Sequence, residues 1–174
     1  IVTSIAIIGQ YLEDIFLNTF RWKSFSLGTT MAIPSGSGKY YFETTVGSTG
    51  ETMSAGVQVE NTPFAGDYIV GRSDANGFSM ANDGKKYNNN TGVAYGSATS
   101  AGGIIGVAVD ASGATSTLTF YVNNVSQGIA YSGISGNLIP SFSSVSGAGQ
   151  SPINFGQQPF AYTPPTGYKK LNTF

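Results

Sequence analysis

From Ser24 onward, apolar and polar residues alternate in short runs, and turn residues interrupt each run before a long helix could form. Gly38-Lys39-Tyr40-Tyr41-Phe42-Glu43-Thr44-Thr45-Val46 sets Tyr40, Phe42, Thr44 and Val46 on one face and Tyr41, Glu43 and Thr45 on the other. That is the period of two that a strand requires. Thr117–Val122 alternates in the same way, with Leu118, Phe120 and Val122 toward a core. Met53–Glu60 reads as a further strand, and Ile104–Asp110, continuous in apolar or small residues, as a central one. Asn123-Asn124 lies between Val122 and Val125, where Asn tolerates the positive φ of a two-residue hairpin; Asp83-Gly84 links 78–80 to 85–87 likewise. About ten such strands with frequent turns predict an all-β fold, an antiparallel β-sandwich of two packed sheets. No fixed-period repeat argues for a solenoid or propeller.

The first 22 residues differ. Leu12, Ile15, Phe16 and Phe20 have helical spacing, which predicts a short helical or irregular lead-in over 1–23, docked on the sheet or tethering a neighbour. The sandwich is expected over 24–160, with a C-terminal extension over 161–174. A chain of 174 residues is one domain by the usual range of roughly 100–200 residues. Because it begins at Ile1 rather than Met, it is expected to be a piece of a longer protein. The longest strongly apolar stretch, Ile5 to Gly9, is far too short to span a bilayer, so no membrane insertion is expected.

Composition then narrows the chemistry. With no His and no Cys, a Ser-His-Asp triad, a Cys-His dyad, a zinc finger, a thiol redox centre and a disulfide framework are all excluded. Eight Lys+Arg against nine Asp+Glu leave a net charge of −1 and no basic footprint for nucleic acid. Gly36-Ser37-Gly38-Lys39 falls short of a phosphate loop: Ile33 stands where its first Gly belongs, and Tyr40 replaces the metal-binding hydroxyl. Asp74-Ala75-Asn76-Gly77 begins like a calcium loop, but Lys85 occupies the position of the closing acid. For glycoside hydrolysis, which needs two facing carboxylates, Asp67, Asp74 and Asp83 lie near one another in sequence, interleaved with Arg72, Lys85 and Lys86. They read as surface ion pairs or binding-loop groups. No catalytic residue, cofactor or metal is expected.

The motifs in order resemble the SPRY domain, the core of B30.2. Gly38-Lys39-Tyr40-Tyr41-Phe42-Glu43, Ala55-Gly56-Val57, Gly77-Phe78-Ser79-Met80 and Asn82-Asp83-Gly84-Lys85-Lys86-Tyr87-Asn88 follow its sequence of signatures. Ile105–Asp110, Leu118–Val125, Leu138-Ile139-Pro140 and Ile153–Gln157 complete it, with Asn124 where the family usually has Gly. The resemblance implies a concanavalin-like jelly roll without catalytic activity, binding partners through loops at one end. The tail from Gln157 to Thr173 is similar to the end of SPRY domains in tailed-bacteriophage structural proteins. That likeness implies a virion location, as a tail, fibre or capsid-surface component present in multiple copies. Its partners would be other virion proteins and a host-surface protein or glycan. The alternatives are a peptide-recognition module of a cellular protein and a carbohydrate-binding or carbohydrate-active domain.

Loops around 65–72 and 82–91 and the 123–124 turn are the expected presenting elements. The candidate contact residues are Asp67, Tyr68, Arg72, Asp83, Lys85, Lys86, Tyr87, Asn88, Tyr95, Asn123 and Asn124. Tyr68, Tyr87 and Tyr95 are singled out because exposed tyrosine supplies contact area with a polar tip. Tyr40, Phe42, Phe120 and Phe155 are assigned to the core.

Overall fold

A computed structural model describes residues 24–29, 31–47, 52–63, 69–145 and 152–171. The helix-patterned lead-in, Asp67 and Tyr68 lie outside them. Among the described residues twelve strands form: β1 Ser24–Gly28, β2 Gly38–Thr45, β3 Met53–Val59, β4 Gly77–Ala81, β5 Lys85–Asn88, β6 Thr91–Ala94, β7 Ile104–Ala111, β8 Thr115–Val122, β9 Val125–Ser135, β10 Leu138–Val145, β11 Ile153–Asn154 and β12 Lys169–Lys170. They build two sheets. The first runs β1-β10-β3-β4-β5-β6, the second β11-β2-β7-β8-β9. Every pairing is antiparallel except that of β12, which adds in parallel to β2. No described helix is long and apolar enough to cross a membrane.

Alternation explains the core. Phe42 of β2, Ile105, Val107 and Val109 of β7 and Leu118, Phe120 and Val122 of β8 point inward from the second sheet. Ala55 and Val57 of β3, Met80 of β4 and Leu138 and Phe142 of β10 meet them from the first. Phe42 packs on Phe142 and Phe155 at centroid distances of 5.8 and 5.7 Å, and Phe155 lies partly buried against the cluster. Each fully buried aromatic or branched side chain contributes about 1.5–3 kcal/mol. As expected, β7 is central in its sheet, buried on both faces over most of its length.

In two places alternation mispredicts the outer faces. Tyr41 and Glu43, on the face of β2 opposite Phe42, are as buried as the core, because the segment after β11 folds back over them. Phe160 meets Tyr41 edge-on at 5.1 Å, β12 pairs alongside Tyr40 and Tyr41, and Leu171 joins the core. Tyr40 itself is only half-buried, beneath the Lys169 ammonium at 4.6 Å. On the first sheet the outward serines Ser54, Ser79 and Ser143 are buried too. There the chain around Ile69 and Val70 crosses the sheet, and its backbone hydrogen-bonds to those hydroxyls: Val70 N–H donates to Ser54 and Ser143 Oγ at 3.2 Å, and Ser79 Oγ donates to Val70 O at 2.6 Å. Small hydroxyl side chains let the covering backbone approach closely while its polar groups stay paired.

The turns follow their chemistry. Asn123 and Asn124 both have positive φ, 47° and 70°, as a tight β8–β9 hairpin requires. The β4–β5 connection is one residue longer than the sequence suggested. It spans 82–84, with Gly84 at φ 81°. The 82–91 stretch is therefore not a presenting loop: most of it is strand β5 and its turn into β6.

Candidate functional site

β6 and β9 end their respective sheets on the same side of the sandwich. Between them lies Lys86. Its register partner on β4 is the core residue Met80, so its side chain enters the gap between the sheets beyond the end of the apolar core. Its ammonium donates to Ala130 O of β9 at 2.8 Å and sits 5.1 Å from the Tyr131 ring centroid and 5.5 Å from that of Tyr95. Tyr131 packs edge-on against Phe78 at 5.2 Å and donates its hydroxyl to Ser79 O at 3.3 Å. Tyr95 packs on Phe120 and donates its hydroxyl to Gly128 O. One cation and two tyrosines thus pin the open side of the two sheets. Burial holds the Tyr131 and Tyr95 hydroxyls above the ordinary tyrosine range, so both remain donors.

Around this pin the surface is firm. Tyr95 and Gly96 N–H donate to Gly84 O, at 3.1 and 2.9 Å, and Thr99 N–H donates to Asn82 O at 2.9 Å. Ser97 N–H donates to Gln127 Oε1 at 2.8 Å, and Ile104 N–H to Asn123 Oδ1 at 2.9 Å. The 82–84 turn, the 95–103 connection and the 123–124 turn therefore form one hydrogen-bonded end. Val93, Val125 and Ile129, at 47, 63 and 66% exposure, are large exposed apolar side chains of β6 and β9; by register Val93 and Val125 lie on the faces turned toward the opposing sheet and Ile129 on the outer face of the second sheet. None of these three is among the contact residues expected from the sequence. The available signal was Val125 directly after the Asn-Asn turn, but Gly128 and Gly133, both at positive φ, break the alternation that would have oriented Ile129.

The residues proposed from sequence do not gather at one place. Asp83, Asn123 and Asn124 are exposed at the firm end. Asp83 is held there, its Oδ1 accepting from Lys85 N–H at 3.0 Å and its Oδ2 3.6 Å from the Lys85 ammonium. Tyr87 is buried rather than exposed, a correction. It lies on the outer side of the first sheet with Ile69 and Ala81, over Gly92, where any side chain would strike its ring. Burial, and the Asp83 carboxylate that accepts its hydroxyl at 2.8 Å, push its pKa up to about 12. Lys86 and Tyr95 are half-buried structural members of the pin. Asn88 sits at the opposite end of β5, its amide donating to Ala75 O and Gly77 O at 2.9 and 2.8 Å. Arg72 is exposed near that stretch. There Asp74 Oδ1 accepts from Asn76 N–H at 2.8 Å, closing a local turn. Among the described residues no three acidic side chains assemble as metal ligands.

Two packed sheets whose loop-bearing end is locked by hydrogen bonds define a β-sandwich scaffold. The chain belongs to the SPRY domain family, whose family model matches residues 39–158. The human SPRY domain crystal structure superposes with a TM-score of 0.66 at 18% identity, covering 81% of this chain and 90% of that one. The SPRY domain of human HERC1 superposes at 0.62 and 16% identity, covering 79% and 86%. The chain is also 28% identical over 138 residues to the Ran-binding proteins 9/10 homolog of Drosophila melanogaster. That match covers 79% of this chain but only 14% of the relative's length. It overturns the virion location expected from the tail: the relative is an animal protein, which points to a cell rather than a phage particle. SPRY domains are in general protein-interaction modules.

Proposed function

We propose that this chain is the peptide- or protein-recognition module of a cellular protein, and that its partner docks on the end built by the 82–84 turn, the 95–103 connection and the 123–124 turn, continuing along β6 and β9. The observation that carries the reading is the placement of Val93, Val125 and Ile129. Exposed apolar side chains beside neutral hydrogen-bonding groups match the composition of interface centres. The exposed polar groups Asp83, Lys85, Asn123 and Asn124 flank them and set orientation. A scaffold pinned by Lys86 is preorganised, so little ordering cost falls on binding. With few charges on this surface, affinity should depend little on salt.

The test is selection of peptides on the purified chain, followed by affinity measurement with Ile129→Asp and Val125→Asp. Both substitutions are at exposed sites and leave the core untouched. Each is expected to weaken binding by about tenfold or more, equivalent to about 1.4 kcal/mol. Thr115→Asp, at an exposed position on the opposite end of β8, serves as the control and should bind as the parent does. Undiminished affinity in both β9 variants, or a steep loss of affinity on adding moderate salt, would refute the assignment.

A further inference from the structure

On β2, beside the edge strand β11 on the far side of the second sheet from β9, Glu43 is 4% exposed and has no cationic partner among the described residues. Its Oε1 accepts from Ala161 N–H at 2.6 Å and its Oε2 from the Tyr41 hydroxyl at 3.2 Å, both neutral donors. The ion pairs among the described residues, Lys39–Asp110 and Lys85–Asp83, do not include it. A carboxylate has room for about four hydrogen bonds, and a buried one without a countercharge is costly. Glu43 also lines a cavity of about 340 Å³, walled by Pro152, Ile153, Pro159 and Ala161. Two of the three side-chain amides bordering that cavity are committed. Asn154 donates to Pro159 O at 3.1 Å and accepts from Gly156 N–H at 2.9 Å. Gln157 donates to Ile153 O at 2.7 Å and accepts from Phe155 N–H at 2.6 Å. These bonds fix the loop around the cavity, and among the described lining residues the Glu43 carboxylate is the charged acceptor.

We infer that this cavity receives a basic side chain, lysine or arginine, of a partner polypeptide, with its methylenes against Pro152, Ile153 and Pro159 and its charge on Glu43. Such side chains bury their stems on apolar surface while the head seeks an acceptor. The site is separate from the β6–β9 surface and does not depend on it.

The experiment is an amide NMR titration of the whole chain with N-acetyl-arginine methylamide and N-acetyl-lysine methylamide, against the neutral citrulline and norleucine analogues. Saturable shifts are expected at Thr45, Asn154 and Ala161, with either cation binding about tenfold or more tighter than its neutral counterpart. Glu43→Gln keeps an acceptor for Ala161 N–H and should abolish that preference. Ala161→Leu should block the cavity with the carboxylate intact, and it decides the matter alone if Glu43→Gln does not fold. Ile129→Asp, which disrupts the surface proposed above, should leave these shifts unchanged, so the two readings fail separately. Equal shifts from the neutral analogues would overturn the inference. So would no saturable shift by roughly 50 mM probe, or wild-type binding by Ala161→Leu.

Discussion

Replacing Lys86 with Met keeps the aliphatic stem and removes the ammonium that bridges the sheets. The loss can be worked from its three contacts. A hydrogen bond from a charged donor contributes about 1.5 kcal/mol at the low end of its range, and two half-exposed cation–π contacts about 0.5 kcal/mol each, so about 2.5 kcal/mol should go. For a domain of this size that lowers the melting temperature by roughly 5–10 °C. Circular dichroism melts and urea midpoints of Lys86→Met read it directly. A double-mutant cycle with Tyr131→Leu should return a coupling of about 0.5–1 kcal/mol, because the ammonium lies 5.1 Å from that ring. Lys86→Met melting within about 1 °C of the parent, or a coupling near zero, would refute the claim that this cation pins the open side of the sandwich.

Other consequences follow from particular contacts. Gly106→Ala would drive a Cβ into the Tyr41 hydroxyl and to 2.8 Å from its ring, and Phe160 and Glu43 block the ring's retreat. The expected cost is about 1–3 kcal/mol by urea denaturation. Asn123→Ala loses the acceptor for Ile104 N–H and leaves an alanine at φ 47°, together costing about 2 kcal/mol of thermal stability. The hydroxyls of Tyr41, Tyr87 and Tyr131 all titrate above the usual value near 10, chiefly through burial. A folded-state pKa raised in this way favours the protonated form. The stability it gives is whole below about pH 10 and is lost as pH rises toward and past the Tyr87 value of about 12. Ultraviolet titration of tyrosinate should show these groups ionising late and together with alkaline unfolding.

Most of the fold is legible in the sequence because period two and turn chemistry are local properties. The inward sets on β7 and β8, the Asn123-Asn124 hairpin and the ordered motifs of a SPRY domain all follow from neighbours along the chain. The outward residues are another matter, since nothing local states what will lie on top of a strand. Tyr41, Glu43 and the serines of β3, β4 and β10 alternate as solvent-facing residues should, yet distant segments cover them. Tyr87 and Lys86 occupy adjacent positions in a polar run, and only the pairing of β5 decides that one lies under Ile69 while the other bridges two sheets. The candidate surface depends on the same non-local step. Val93 and Val125 are 32 residues apart in the chain, and both stand on faces turned toward the opposing sheet because strand pairing, a tertiary outcome, sets them beside Lys86 and Val122 on β6 and β9, the last strands of their sheets.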